Sequence, residues 1–281
     1  MAKTLRGAAA VVVLSAVANW TALEPARGAE PAPDAKRAPD AKRVSGDEAG
    51  FAHLFPEDGA PKGFVVRRWD DISKPADPGA EWEVRGGILH GSTVRGSWLV
   101  SEREYGDFVL RYEFRLGPLG NSGCALRAPP AGDPAFEGME LQMADFRYNP
   151  SAKDSELTGG IYRAIAPKKQ VYKPTEWNSC EVTLRGTKLR VVLNGEVIHD
   201  LDLSEHDEVV LRHDGSRAPP VKDRPRRGRI GFQELSRGDD RVQIRNARIR
   251  VLDPPGAEEP KAGAGAAKTD PPAVAPPERR P

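Results

Sequence analysis

Hydrophobic and polar residues alternate along the middle of this chain with a period of two. In DFVLRYEFRL, Phe108, Leu110, Tyr112, Phe114 and Leu116 fall on one side, and Val109, Arg111, Glu113 and Arg115 on the other. Successive side chains leave a strand on opposite faces, so this spacing predicts a strand with one buried and one wet face. GMELQM sets Met139, Leu141 and Met143 opposite Glu140 and Gln142. NSGCALR sets Ser122, Cys124 and Leu126 opposite Asn121, Gly123, Ala125 and Arg127. A face that gathers Asn, Arg, Glu and Gln around small residues predicts a polar ligand surface rather than a merely solvated one.

The same alternation recurs in short runs broken by Gly, Pro, Asn and Asp. EWEVRGGILHG predicts two strands around Gly86-Gly87. CEVTLRGTKLRVVLNGEVIHDLDL predicts three, joined at residues 185–188 and at Asn194-Gly195. Asn-Gly is a strong hairpin signal, because a type I′ turn needs positive φ at both central residues. RGRIGFQEL and DRVQIRNARIRVL add two more strands. No segment of 50–253 carries a sustained helical period. Antiparallel strands without crossover helices predict an all-β jelly-roll sandwich of two antiparallel sheets. The long loops, 115–121, 128–137, 145–160 and 202–228, would frame a site on it.

Composition changes the picture at the two ends. Lys3 and Arg6 precede an apolar run from Ala8 to Val17 and then small residues, so residues 1–29 read as a secretory signal cleaved near Gly28 or Ala29. The run is short for a membrane span, and a retained N-terminal anchor is the alternative. Residues 30–49 form a Pro/Ala/Lys linker with PDAKR written twice, and 254–281 form a Pro/Ala-rich tail. Neither holds enough apolar surface to offset the entropy of ordering it, so both are expected to be disordered. The folded domain is therefore 50–253, in a protein expected to be periplasmic or extracellular, with no membrane span once the signal is removed.

Lys and Arg number 42 against 41 Asp and Glu, so no global field draws nucleic acid, and none is expected as a partner. The basic run KDRPRRGR (222–229) reads as a solvated loop. Cys124 and Cys180 each share a face with apolar residues, which suits buried thiols or a single disulfide. Neither has zinc-site spacing. The five histidines show no ligand spacing either, and His90 and His199 read as surface or edge residues. Trp82 reads as a core anchor. Trp98 and Trp177, at strand starts, suit either core packing or stacking on a sugar face. Nucleophile-elbow, phosphate-loop and dinucleotide fingerprints are absent from the sequence.

In order along the chain, EYGDFVLRYEFRL, GNSGCALRAP, GDPAFEGMELQMAD, TGGIYRAIAP, EWNSCEVTLRGTKLRVVLNGEVI, IGFQE and IRNARIRVL resemble the 3-keto-disaccharide hydrolase domain family. That family is also described as 3-keto-glucoside 1,2-lyase and 3-keto-2-hydroxyglucal hydratase. The resemblance covers about 50–253 and implies a concanavalin-like jelly roll, usually exported. Two motifs differ. The family's opening LFNGKDLSGW stands here as LFPEDGAPKGFVVRRW, and its IGLQDHG as IGFQELS. Glu234 thus takes the acidic position and Leu235 that of a histidine.

The resemblance implies cleavage of an oxidised glycoside by elimination and then hydration. That chemistry needs a base near the sugar C2–H, a donor for the enolate oxygen and an acid for the leaving oxygen. Glu140 is the candidate base. Arg127 is the candidate holder of the enolate oxygen or a hydroxyl, and a plain Glu140–Arg127 ion pair is the structural alternative. Asp145 suits an acid, a sugar ligand or a loop brace. Asn121, Gln142, Tyr162, Trp98, Trp177 and Gln233 are the candidate substrate contacts. Glu140, Gln142 and Asp145 offer oxygen ligands for a hard cation, but no metal or other cofactor is expected. A partner oxidoreductase is expected to supply the keto-sugar. The second reading of the chain is a non-catalytic glycan-binding module of the same fold.

Overall fold

The structure is a computed structural model in which residues 49–252 are described. The signal-like segment, the linker up to residue 48 and the tail lie outside the described residues. The first strands are β1 (Ala52–His53), β2 (Phe64–Arg68), β3 (Glu83–Arg85), β4 (Ile88–His90), β5 (Ser97–Tyr105), β6 (Phe108–Arg115) and β7 (Asn121–Ala128). A one-turn helix, α1 (Pro134–Glu137), precedes β8 (Met139–Ala144), β9 (Asn178–Arg185), β10 (Lys188–Leu193) and β11 (Glu196–Asp202). The short strands β12 (Val210–Leu211) and β13 (Arg217–Ala218) pair with each other ahead of β14 (Gly228–Glu234) and β15 (Gln243–Val251).

Two antiparallel sheets make the sandwich. The larger runs β11-β10-β9-β6-β15-β4-β3, with β1 also paired to β15, and the smaller runs β2-β5-β14-β7-β8. The alternation read from the sequence sets their inner faces. Phe108, Leu110, Phe114, Val182 and Ile244 of the larger sheet share one buried cluster with Leu99, Leu126, Met139, Leu141 and Phe232 of the smaller. The Tyr112 and Phe232 rings meet edge to face across it, centroids 5.2 Å apart. The β10–β11 turn has φ of 52° at Asn194 and 84° at Gly195, as type I′ requires.

Outside the smaller sheet, register places Val65, Val100, Gly231, Ala125 and Glu140 in one row across its five strands. The adjacent row carries Arg67, Trp98, Gln233, Gly123 and Gln142. Half of this face is roofed. Ile72 and Trp69 pack over Trp98, Val100, Ala125 and Ala128 in a second apolar cluster. Trp98 is fully buried there, and its indole N–H donates to Trp69 O at 3.0 Å. Trp82 is a core anchor as expected, buried and bonded to Ser97 Oγ.

Four expectations need correction. Arg127 leaves the ligand face. β7 and β14 slip register at a bulge, where Arg127 takes φ = 54° and the two-residue alternation breaks. Its buried guanidinium donates to Gly106 O and Gly186 O, both at 2.8 Å, and pairs with Asp107 at 3.0 Å. It clamps the β5–β6 turn between the sheets to the β9–β10 hairpin turn instead of facing Glu140. His199 is buried, its Nε2 2.6 Å from Gly159 O. Within the basic run, Arg224 is buried rather than solvated. The loop 128–137 contains α1, whose start carries a local signal: Asp133 caps Ala135 N at 3.0 Å, ahead of Pro134. Cys124 and Cys180 are both free and buried.

Candidate active site

The site is built on the last two strands of the smaller sheet. α1 turns the chain into β8, and Arg224 pins that corner, its Nη1 donating to Ala135 O (3.1 Å) and Gly138 O (3.0 Å). Burial lowers the Arg224 pKa to about 10. β8 then presents Glu140 and Gln142 outward, opposite Ala125 and Gly123 of β7. Gly123 is a steric requirement, since a Cβ there would overlap Glu140 Oε1. The segment after the 145–157 loop closes the edge of β8. Gln142 N donates to Gly160 O at 2.8 Å, Gly159 N to Gln142 O at 2.9 Å, and Tyr162 N to Glu140 O at 2.9 Å.

Glu140 is 2% exposed, and its Oε1 has no hydrogen-bond partner. Burial, and then the nearby Asp133 carboxylate, push its pKa well above the ordinary carboxylate value. Asp133 is itself pushed up to about 7, chiefly by burial. Asn121 Oδ1, buried on the same face, is also without a partner. Unpaired buried polar atoms are costly, and they concentrate where a ligand completes them.

Asn121, Gln142 and Tyr162 line one cleft of about 50 Å³ together with Asp145 and Tyr148. Tyr162 packs against Phe136 and His213, with ring centroids 6.0 and 5.9 Å away. Burial, then the charge of Glu140, raise its phenol pKa, so it stays a neutral hydrogen-bond donor. Asp145 is saturated. Both its oxygens meet Arg147 at 2.7 Å, Arg147 N donates to Oδ1, and the Tyr172 hydroxyl donates to Oδ2 at 3.1 Å. Burial would raise its pKa, but these donors outweigh it and hold the carboxyl below its ordinary value. Of its three expected roles, this geometry is that of the loop brace.

The structure thus brings together Glu140, Gln142, Asn121, Tyr162 and Asp145, with Gln233 buried on the same face in the row of Gln142. Arg127 and Trp98 stand elsewhere, and so does Trp177. Its ring lies between Arg115 and Arg245 on the outside of the larger sheet, with centroid distances of 5.0 and 4.2 Å. Glu234, at the family's acidic position, is a buried cap that accepts from Ser236 N (2.7 Å) and Val242 N (2.9 Å). Leu235 contributes backbone only, its N–H to Asn121 O and its carbonyl to Arg95 Nε, both at 2.9 Å.

Sequence reasoning missed Asp133, Tyr148 and Arg95. The Asp-Pro start of α1 was a readable signal for the first. Tyr148 and Arg95 sit in loops without periodicity, and nothing in the sequence joins them. Chemically, the cleft offers neutral amide and phenol donors suited to sugar oxygens, and beside it, next to Tyr162 on the same sheet face, Glu140 is a buried carboxyl able to exchange a proton.

The 3-keto-alpha-glucoside-1,2-lyase-like domain model matches residues 50–250. A solved structure from Parabacteroides distasonis, described as a candidate glycosyl hydrolase, superposes with a TM-score of 0.57 at 26% identity, covering 72% of this chain and 99% of that one. A second from the same organism, described alike, gives a TM-score of 0.55 at 24% identity, covering 73% and 95%. No curated protein matches this chain.

Proposed function

The chain belongs to the 3-keto-alpha-glucoside-1,2-lyase-like domain family, and from that premise we propose that it cleaves 3-keto-glycosides by β-elimination followed by hydration. The family and the glycosyl hydrolase description of its structural neighbours make it a carbohydrate-active protein of the all-β sandwich class. The observation that carries the finer reading is the Glu140 carboxyl, buried and unpaired on a face of neutral hydrogen-bonding groups.

A C3 ketone acidifies the proton at C2, because the carbanion formed there is an enolate. Glu140 takes that proton. Its raised pKa makes it a stronger base than an ordinary carboxylate once ionised, and a positioned base is worth roughly 10²–10⁴-fold in rate. Gln142, Asn121 and Tyr162 donate to the enolate oxygen and to hydroxyls. They cost little reorganisation, because β7, β8 and the 158–162 segment already hold them. The C1 oxygen, β to the carbanion, then departs, and water adds at C1.

Ordinary glycans carry no C3 ketone, so an oxidoreductase must act upstream. The N-terminal segment supports a place of action outside the cytoplasm. Purified full-length protein incubated with 3-keto-trehalose or a 3-keto aryl glucoside should release the free sugar or the aglycone. Folded protein that turns over no member of a keto-sugar panel would overturn the proposal. Calorimetric binding of unoxidised oligosaccharides without change would then favour the glycan-binding module.

A further inference from the structure

We propose that Tyr148 is the proton donor to the leaving oxygen, held in that role by Arg95; the assignment rests on the elimination reading above. The reaction needs an acid, and the cleft offers few. Asp145 is locked by Arg147 and Tyr172. Glu156 is paired with Arg163 at 3.0 Å and bonded to Lys153 N. Tyr162, beside Glu140, is a reluctant donor because both burial and that charge oppose its ionisation.

Tyr148 is placed differently. It lines the cleft with Asn121 and Gln142. Its phenol oxygen accepts from Arg95 Nη2 at 2.9 Å. The Arg237 guanidinium stands 4.3 Å from the ring centroid and donates to Tyr148 O at 3.2 Å. No carboxylate lies within ion-pair distance of Arg95 or Arg237 among the described residues, so their charges act on the phenol undiminished by a salt bridge. Burial raises the Tyr148 pKa, but the Asn121 side chain and Arg95, with Arg237 behind them, outweigh it and bring the phenol below its ordinary value. The charged groups around it are Arg95 from the segment before β5, Arg237 from the loop after β14, and the Arg147–Asp145 pair from its own loop.

Tyr148 lines the cleft and Glu140 is buried beside it on the same sheet face, with pKa values moved toward each other, one carboxyl up and one phenol down. Glu140 lies over Gly123 and Tyr148 beside Asn121, two residues along β7, or roughly 7 Å. In the elimination, the C2 proton passes to Glu140. The C2–H electron pair forms the C1=C2 double bond, the C1–O bond breaks, and the departing oxygen takes the Tyr148 hydroxyl proton. In the hydration, a water oxygen bonds to C1 while its proton returns to the Tyr148 phenolate, and C2 regains the proton held by Glu140. One water is consumed and both residues are restored. Arg95 is a positioning residue, acting through the phenol.

The test compares two substrates on the full chain, a 3-keto-disaccharide and a 4-nitrophenyl 3-keto-glucoside whose aglycone departs without protonation. Tyr148→Phe should lower kcat/KM about 10²–10⁴-fold on the disaccharide and less than about tenfold on the aryl glycoside. Arg95→Gln should move the alkaline limb of the kcat/KM profile to higher pH, which a purely structural role would not do. Ultraviolet difference titration of the five tyrosines should show one phenol ionising below the free value of about 10, absent from Tyr148→Phe. Should that variant fail to fold, the Arg95→Gln profile and the wild-type titration decide. Equal effects on both substrates, no effect on either, or no low-ionising phenol overturns the assignment while leaving the elimination reading intact. An inactive wild type overturns both.

Discussion

The outer faces of the two sheets carry the same period-two alternation and meet opposite fates. On the larger sheet each charged side chain of β6 has a partner, although Arg111 Nη1 is left without one. Arg111 pairs with Glu181 at 2.7 Å, and Arg245 with Glu113 at 2.7 Å. Arg115 donates to Gln243, and Trp177 lies between two guanidiniums. On the smaller sheet Glu140 and Asn121 are buried, and each is left with an unpartnered oxygen. Alternation alone therefore says which residues leave the core, not which are a site. What separates the faces is a carboxyl buried without a cation: the ion pairs of the larger sheet keep part of their exposure and contribute little, whereas a buried lone carboxyl is an expense that binding or catalysis must explain.

The sharpest way to break this comparison is Glu140→Gln. The near-isosteric amide removes basicity and keeps the shape, so turnover of a keto-glycoside should fall about 10²–10⁴-fold with the fold intact. Undiminished activity would remove Glu140 from the chemistry. Stability should move the other way. Burial keeps Glu140 protonated in the folded chain at pH values where the unfolded chain has lost that proton. Folding stability therefore falls as pH rises from the ordinary Glu value of about 4.3 through the raised folded value. Thermal melts across pH should show the variant more stable than its parent at neutral and alkaline pH, with the gap closing in acid. A gap that widens in acid would mean the carboxylate is paired after all. Asp133, at about 7, adds a loss of the same sign between about 3.9 and 7, present in both proteins.

Next in size is Arg127→Met. Removing one partner of a buried ion pair costs about 3–5 kcal/mol, and roughly 2–3 kcal/mol is expected here because Asp107 keeps a third of its exposure. Denaturant titration measures it, and kcat of the folded fraction should hold. Normal stability with lost activity would return Arg127 to the catalytic face. The smallest effect sharpens the contrast from the other sheet. Glu181→Ala should cost under about 1 kcal/mol and leave activity alone, and a large activity loss would show that the outer face of the larger sheet is not inert.

By itself the sequence determined the strands, their hairpins and the faces on which most residues lie. Period-two alternation and turn chemistry are local properties, readable a few residues at a time. Glu140, Gln142 and Asn121 could be placed outside the core for that reason. Tertiary structure alone decided the rest. The bulge that turns Arg127 away arises where β14 slips against β7, more than a hundred residues apart. Arg147 and Tyr172 make Asp145 a brace, Trp69 and Ile72 make Trp98 a core residue, and Arg95 meets Tyr148 across 53 positions. A side chain's direction follows from its own strand, but whether its charge is paired, roofed or left open depends on segments that only folding brings beside it.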